Sequence, residues 1–271
     1  MKYIIELYQF LMHVVESRSL LITLIYNNFK QQYLGSYLGL LWAFVQPMVF
    51  ILVIWFVFDV GFRSGPVDSG APFFLWLICG MIPWFFIADA IQSGTSAVTS
   101  NKFLVKKVAF RVGVLPIVPI GSSLIIHAVL FMMLIIAFLL YGYKPTIYWL
   151  QIPYFVFSSI MIVLGLSWLT SALRVFVKDI GNLVGVILQI GFWATPIFWA
   201  SNIIPEKYRF IVELNPMAYI INGYRAALIE QVWFFGGGMF TTYYFWGVTA
   251  IILLGGIIVF KRLRPHFGDV L

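Results

Sequence analysis

Long uninterrupted apolar segments restrict the possible folds of this chain more than any other feature. One of them covers residues 112–142 and runs VGVLPIVPIGSSLIIHAVLFMMLIIAFLLYG. A helix that crosses a bilayer needs about 20 apolar residues, and about six segments of this kind occur, separated by short charged or Pro/Gly-rich breaks. A membrane β-barrel would instead show strands of about ten residues with alternating hydrophobicity. The sequence therefore predicts an all-α, polytopic membrane protein.

The composition agrees with six membrane crossings. Apolar residues make up 62% of the chain and charged residues 10%, against about 45–50% and 25% in an average soluble domain. We place the six transmembrane helices at residues 37–60, 73–94, 113–142, 150–173, 181–200 and 239–260. Because six is an even number, both termini are expected on the same side of the membrane.

The first 33 residues are predicted to form a separate amphipathic helix. Polar residues recur there at steps of three and four, with one step missed, at Lys2, Glu6, Gln9, His13, Glu16, Thr23, Asn27 and Lys30. This spacing places them along one face of a helix. Residues 1–33 are therefore expected to lie in the membrane interface, and residues 34–271 to form the six-span domain. The alternative is a short soluble helix that packs on a partner.

The distribution of charge predicts the orientation. Twelve of the 17 basic residues fall at the termini and in the second and fourth connections between spans, and five fall on the opposite side. Loops rich in Lys and Arg stay in the cytoplasm, so both termini are expected there. The net charge of +7 then reflects topology and does not require nucleic-acid binding. The basic side is expected to meet anionic lipid headgroups or an acidic cytoplasmic partner.

Residues suited to catalysis or metal binding are scarce. The sequence contains no G-x-x-x-x-G-K-[ST] motif, so we expect no nucleotide binding by this chain. The three histidines are far apart and Cys79 is the only cysteine; we therefore predict no catalytic residues, no metal and no cofactor. Asp89 is the one acid deep within a predicted span, and we favour a hydrogen-bonding role between helices over a proton site.

Aromatic residues reach 19% of the chain. Belts at the two membrane surfaces account for many of them, but those of the first and fifth spans extend further along the helices. Their flat ring faces suit the C–H faces of sugars in a transport path. The candidate path residues are Trp42, Phe50, Trp55, Phe192, Trp193 and Trp199. Packing between helices or contact with lipid is the alternative for each of them.

The connection after the fifth span, residues 201–238, is too polar for a span and too apolar for a free loop. We expect it to form short helices at the outer rim, because irregular backbone at membrane depth is tolerated where it lines a cavity in the protein. It is a candidate outer gate, with Pro205, Asn215 and Pro216 as its marker residues. A plain capping loop is the alternative.

Several motifs in this chain resemble those of a known family. They are QYLGSYLGLLWAFVQP at residues 32–47, FLVKKVAF at 103–110, TPIF at 195–198 and LNPM at 214–217. In this order they resemble the permeases of type-2 ABC exporters that move lipid-linked polysaccharides such as O-antigen, capsule or teichoic acid. Phe110 is followed by Arg111, where the family often has proline.

The resemblance implies a homodimer in the bacterial inner membrane, joined to two cytoplasmic ATPase subunits that bind ATP and Mg²⁺. The chain is then a transport subunit and not an enzyme, with the glycan path between the two copies. The basic residues of the second connection are expected to dock the ATPase: Lys102, Lys106, Lys107 and Arg111. An exporter of drugs or other small hydrophobic molecules is the alternative function. A membrane-embedded acyl- or glycosyltransferase is disfavoured, because no cluster of acids, histidines or metal ligands is seen.

Overall fold

The computed structural model describes residues 18–33, 37–62, 70–106, 112–235 and 239–271, and the secondary structure in these ranges is helical. The helices are α1 (Arg18–Tyr33), α2 (Trp42–Trp55), α3 (Phe73–Ser100), α4 (Lys102–Val105), α5 (Ile117–Leu140), α6 (Ile152–Phe176), α7 (Ile180–Ala194), α8 (Glu206–Glu213), α9 (Pro216–Arg225), α10 (Met239–Leu263) and α11 (Phe267–Val270). Short 3₁₀ or π-helical turns extend several of them.

Five of these helical segments are long and apolar enough to cross a membrane. They are α2 with its flanking turns (Gly39–Gly61), α3 (Phe73–Ser100), α5 with the turn before it (Val112–Leu140), α6 with the turn before it (Ile147–Phe176), and α10 with the turns after it (Met239–Val270). The predicted all-α class with several long apolar helices is confirmed. The count of six crossings is not settled by helix length.

The helix of the fifth predicted span is shorter than expected, and proline explains why. We placed it at residues 181–200, but α7 has 15 residues and ends at Ala194. The residue before a proline disfavours helical backbone angles, and Thr195, which precedes Pro196, is extended at φ −90° and ψ 141°. A helix of this length covers about 22 Å, less than the hydrocarbon core of about 30 Å.

Helix α3 is the centre of the bundle and packs against α5, α6, α7 and α9. Small residues permit the closest approaches, as expected between helices in a membrane. Gly94 of α3 faces Ser167 of α6, and the hydroxyls of Thr95 and Thr170 hydrogen-bond at 2.7 Å. Helices α6 and α10 also meet closely, because a Cβ at Gly165 would lie 2.7 Å from the Cα of Leu253.

Helix α1 packs along the start of α5. Leu21 is buried with Val114 and Val118, and the hydroxyl of Ser122 donates to the carbonyl of Ile25 at 3.1 Å. The polar residues of α1 on the other faces are exposed: Thr23, Asn27 and Lys30. The remainder of the predicted amphipathic helix, residues 1–17, lies outside the described residues.

A second apolar cluster holds the C-terminal ends of α3, α6 and α10 to the start of α5. Val98, Trp168 and Phe260 belong to it, and the indole of Trp168 donates to the carbonyl of Gly113 at 3.0 Å. This end of the molecule, which we call the basic end, carries the exposed residues Arg18, Lys102, Lys106, Lys178, Lys261, Arg262 and Arg264. The opposite end holds α8, α9 and the starts of α3, α6 and α10.

Candidate functional site

A cluster of aromatic rings, which we call the aromatic face, is formed by α2, α7 and the segment after α7: Phe50, Phe192, Trp193 and Phe198. The rings of Phe50 and Phe192 lie 5.7 Å apart, those of Phe192 and Trp193 5.5 Å, and those of Trp193 and Phe198 4.9 Å. Tilted and edge-to-face contacts of this kind are favourable. The fold therefore brings residues of the first and fifth predicted spans into direct contact.

The three candidate path residues of α2 differ in their surroundings. Trp42 is 46% exposed and Phe50 is 42% exposed. Trp55 is half-buried and packs edge-on against Phe74 of α3, with ring centroids 6.1 Å apart. Phe50 is therefore the one of the three that joins the aromatic face.

The three candidate path residues of the fifth predicted span also differ in their surroundings. Trp193 is 55% exposed, whereas Phe192 is buried at 8% exposure and contacts Trp84 of α3 with ring centroids 6.0 Å apart. Trp199 is half-buried, and its indole donates to the carbonyl of Trp193 at 3.1 Å. Phe192 thus packs inside the protein. Phe198, in contact with both Phe192 and Trp193, was not among the predicted path residues, although the TPIF motif contains it.

A cavity of about 680 Å³ lies beside α2 and combines apolar walls with a few polar groups. Trp42 and Phe50 line it together with Asp89, Ser123 and His127. The hydroxyl of Ser123 donates to the Asp89 carboxylate at 2.5 Å, which joins α3 to α5. Asp89 therefore forms the hydrogen bond between helices that we favoured from the sequence. His127 is buried and its Nε2 bonds the hydroxyl of Tyr224 at 3.0 Å.

Arg225, at the end of α9, is a buried cation and is one of the five basic residues that the sequence placed on the side opposite the termini. It is 3% exposed, and its guanidinium lies 3.4 Å from the ring centroid of Trp76. Its two terminal nitrogens donate to the carbonyls of Pro196 at 2.6 Å and of Ile197 at 2.7 Å. Arginine is well suited to this role, because its planar fork holds several donors in fixed directions and stacks on aromatic rings.

The bonds of Arg225 join three parts of the chain. Trp76 belongs to α3, Pro196 and Ile197 follow α7, and Arg225 itself ends α9. Gly80 makes room for the guanidinium, because a Cβ there would lie 2.8 Å from Nη2 of Arg225 and 2.9 Å from the carbonyl oxygen of Ile197. The sequence held one signal for this arrangement: a cation within the apolar run AYIINGYRAALI is costly to bury unless it is paired.

The three candidate gate residues lie at the starts of the two short helices. Pro205 precedes α8. Asn215 caps α9, since its side-chain oxygen accepts from the backbone N–H of Met217 at 3.0 Å, and Pro216 occupies the first position of that helix. The side-chain amide of Asn215 also donates to the hydroxyl of Thr195 at 2.8 Å. This bond ties α9 to the end of α7.

The structure describes two of the four candidate coupling residues. Lys102 opens the one-turn helix α4 and Lys106 follows it, and both side chains are exposed at the basic end. Lys107 and Arg111 lie outside the described residues. Within the described ranges, no group of three or more His, Cys, Asp and Glu side chains is placed to hold a metal ion.

Comparison with known proteins finds one matching family profile and several similar proteins. The sequence profile of the family described as "ABC-2 type transporter" matches residues 19–229. The chain is 28% identical over 258 residues to an "O-antigen export system permease protein RfbA" of Klebsiella pneumoniae, covering 93% of this chain and 95% of the relative. It is 30% identical to a protein of the same name from Myxococcus xanthus, covering 97% of each. It is 22% identical to the "Polysialic acid transport protein KpsM" of Escherichia coli, covering 71% of this chain and 74% of the relative.

Proposed function

This chain belongs to the ABC-2 type transporter family, and from that premise we propose that it is the membrane subunit of an exporter that moves a lipid-linked polysaccharide out of the cytoplasm. The carrying observation is its similarity, over nearly its whole length, to permeases named for O-antigen export. The chain is a multi-pass transport component and not an enzyme. ATP and Mg²⁺ are bound by a separate ATPase, and the bacterial inner membrane is the site of action.

The proposed topology has six crossings, with both termini in the cytoplasm. Helix α7 with residues 195–200 supplies the sixth crossing, because the buried carbonyls of Pro196 and Ile197 find a donor in Arg225, and non-helical backbone is tolerated at membrane depth where protein groups satisfy it. The concentration of Lys and Arg at the basic end supports a cytoplasmic position for that end.

The proposed glycan path runs between two copies of the chain and is lined by α2 and α7. Large apolar side chains of both helices are left unburied: Phe50 and Val53 on α2 with Phe56 in the turn after it, and Val186, Ile190 and Trp193 on α7. Phe50 and Trp193 present ring faces there without a fixed charge, which suits the C–H faces of many different sugars.

The proposed coupling surface is the segment with Lys102 and Lys106 together with Lys107 and Arg111, and two copies of the ATPase bind the dimer there. The exposure of the first two lysines at the basic end supports this role. The proposed outer gate is α8 with α9, marked by Pro205, Asn215 and Pro216. The Asn215–Thr195 bond supports it, because movement of α9 is thereby linked to the end of α7.

Deleting the gene in its native host and measuring surface polysaccharide tests the function. We expect lipid-linked glycan to accumulate inside the cell while surface glycan is lost, and the intact gene to restore export. Unchanged surface glycan, with a changed resistance to hydrophobic drugs, would favour the alternative of a small-molecule exporter.

Replacing residues 100–111 by a Gly/Ser linker tests the coupling surface. We expect the ATPase to stop co-purifying, because the basic docking surface is gone, while the inserted amount of the chain stays the same. Unchanged co-purification would contradict the assignment.

Cysteine labelling tests the orientation after Cys79 is replaced. Residue 106 is expected to react only from the cytoplasm and residue 207 only from outside. The opposite pattern would overturn the proposed topology.

A further inference from the structure

A second cavity, of about 510 Å³, lies at the end of the molecule opposite the basic end, between α8, α9 and the start of α10. We call it the α9 cavity. Its walls combine aromatic rings with polar side chains: Tyr219, Trp233, Phe234 and Tyr244 supply rings, and Arg209 and Asn222 supply polar groups. None of the six candidate path residues lines it, so it is distinct from the aromatic face.

The aromatic walls of the α9 cavity are held rigidly. Phe234 stacks on Tyr154 with ring centroids 4.5 Å apart and an angle of 20° between the planes. Tyr219 stacks on Phe245 at 4.6 Å and 22°, and the hydroxyls of Tyr154 and Tyr219 hydrogen-bond at 2.8 Å. Rings fixed in this way lose little freedom when a ligand binds, which favours affinity.

The polar groups of the cavity have unused hydrogen-bonding capacity. The Nε of Arg209 is buried without a partner among the described residues. The Asn222 side chain also lines the cavity; its Oδ1 accepts from Nη1 of Arg225 at 3.4 Å, and its amide group carries two N–H donors. Glu230 adds a carboxyl group; partial burial raises its pKa, and attraction to the Arg225 cation opposes this shift.

This combination indicates the chemistry of the ligand. A lipid tail needs no arginine, asparagine or carboxyl group, and a small inorganic ion needs no aromatic walls. A pyranose ring needs both, because its C–H face packs on aromatic rings and its hydroxyls donate to carboxyl and amide oxygens and accept from amide and guanidinium N–H groups. The volume lies within the range of about 300–1,000 Å³ typical of small-molecule sites.

We propose that the α9 cavity binds a pyranose unit of the glycan that the protein exports. The proposal rests on the proposed function and adds to it a sugar site away from the path between the two copies. The cavity adjoins the end of α7, because Ser201 and Asn215 line it and Asn215 bonds to Thr195, the residue after α7. A sugar that has passed the aromatic face is held here as it leaves.

Photo-crosslinking in the working exporter tests this site. The crosslinking residue p-benzoylphenylalanine replaces one aromatic residue at a time in the full complex: Trp233 in the cavity, Phe50 on the aromatic face, or Tyr243 as the control. Tyr243 is 70% exposed and adjoins the cavity residue Tyr244, but does not line the cavity. Variants that retain export are stalled during transport with an inactive ATPase partner, irradiated, and stained for glycan attached to the chain.

We expect glycan capture at position 233 to exceed that at position 243 by about tenfold, the ratio that corresponds to 1.4 kcal/mol of binding. Equal capture at the two positions overturns the proposal, whatever is captured at position 50, and so does capture of phospholipid instead of glycan at position 233. Capture at position 50 alone leaves the proposed function standing. Loss of the proposed function itself would be recognised separately, by normal surface glycan in the deletion strain.

Discussion

Helices α3 and α2 are both long, apolar and rich in aromatic residues, yet they occupy opposite environments. The α2 segment is the more apolar of the two, with a mean hydropathy of 2.4 against 1.9 for α3. In their most apolar stretches, 78% of the α3 residues are buried inside the protein and 11% of the α2 residues. In a membrane, lipid accepts apolar side chains as well as a protein core does, so hydropathy does not decide which helix is central.

Small and polar residues make the difference. Gly80, Gly94 and Thr95 of α3 allow neighbouring backbones and side chains to approach closely, which is how helices associate in lipid. Helix α2 lacks glycine and carries large side chains instead, many of them exposed. The surface of α3 is therefore used within one chain, while that of α2 is left for lipid, substrate or a second copy.

The largest loss of stability is expected from Arg225→Met. The change removes the donors to the carbonyls of Pro196 and Ile197 and should cost about 3 kcal/mol of stability, since each hydrogen bond to a charged group is worth about 1.5 kcal/mol or more. Thermal unfolding of the purified complex measures it. Lys207→Met, on the exposed surface of α8, is the control. Equal melting temperatures for the two variants would contradict the anchoring role of Arg225.

The next effect is expected from Gly80→Val on α3. The new side chain meets Arg225 and the backbone of Ile197, and overpacking of this kind costs about 1–3 kcal/mol. Gly247→Val in α10 is the matched control, because a Cβ there has nothing within 4 Å. Melting temperatures in detergent compare the two. If both variants were equally stable, close packing would not explain the central position of α3.

A smaller effect, on transport and not on stability, is expected from Phe50→Leu combined with Trp193→Leu on the exposed helices. Leucine keeps the apolar contact but removes the flat ring, and each lost stacking contact is worth about 1 kcal/mol. Surface glycan per inserted chain should fall modestly for each single change and further for the pair. If the double variant exports at the parental rate, these rings serve in packing or anchoring and do not line the sugar path.

The smallest effect is expected from Asp89→Asn, at the boundary between α3 and the cavity beside α2. Asparagine still accepts from Ser123, so we expect a loss below about 1 kcal/mol, the usual size of a hydrogen bond between membrane helices. Asp89→Leu, which cannot accept, is the comparison. Stability and surface glycan are measured for both. If a stable Asn variant loses export, transport instead depends on the charge or the proton of Asp89.

Sequence reasoning located most helices because their causes are local. Helices α3 and α10 begin at Phe73 and Met239, where the predicted spans begin. The polar residues and prolines between the fifth and sixth spans predicted short separate helices, and α8 and α9 lie there. Sequence reasoning did not predict that the helix of the fifth span ends at Ala194, because hydropathy continues through TPIF although Pro196 ends the helix. It also gave no sign that Phe192, one of the predicted path residues, is buried within one chain in contact with Trp84.

The sequence by itself determined the membrane class, the approximate positions of the five long apolar helices and the family, because apolar length and motif order are properties of the chain read along its length. Only the tertiary structure decided that α3 is central, that Phe50 meets Phe192, and that Arg225 bonds the backbone after α7. These contacts join residues far apart in the chain, and side-chain shape and hydrogen-bond geometry select them. The α9 cavity also depends on tertiary structure, because α8, α9, the segment after α9 and the start of α10 fold around it and Phe155 of α6 completes its wall.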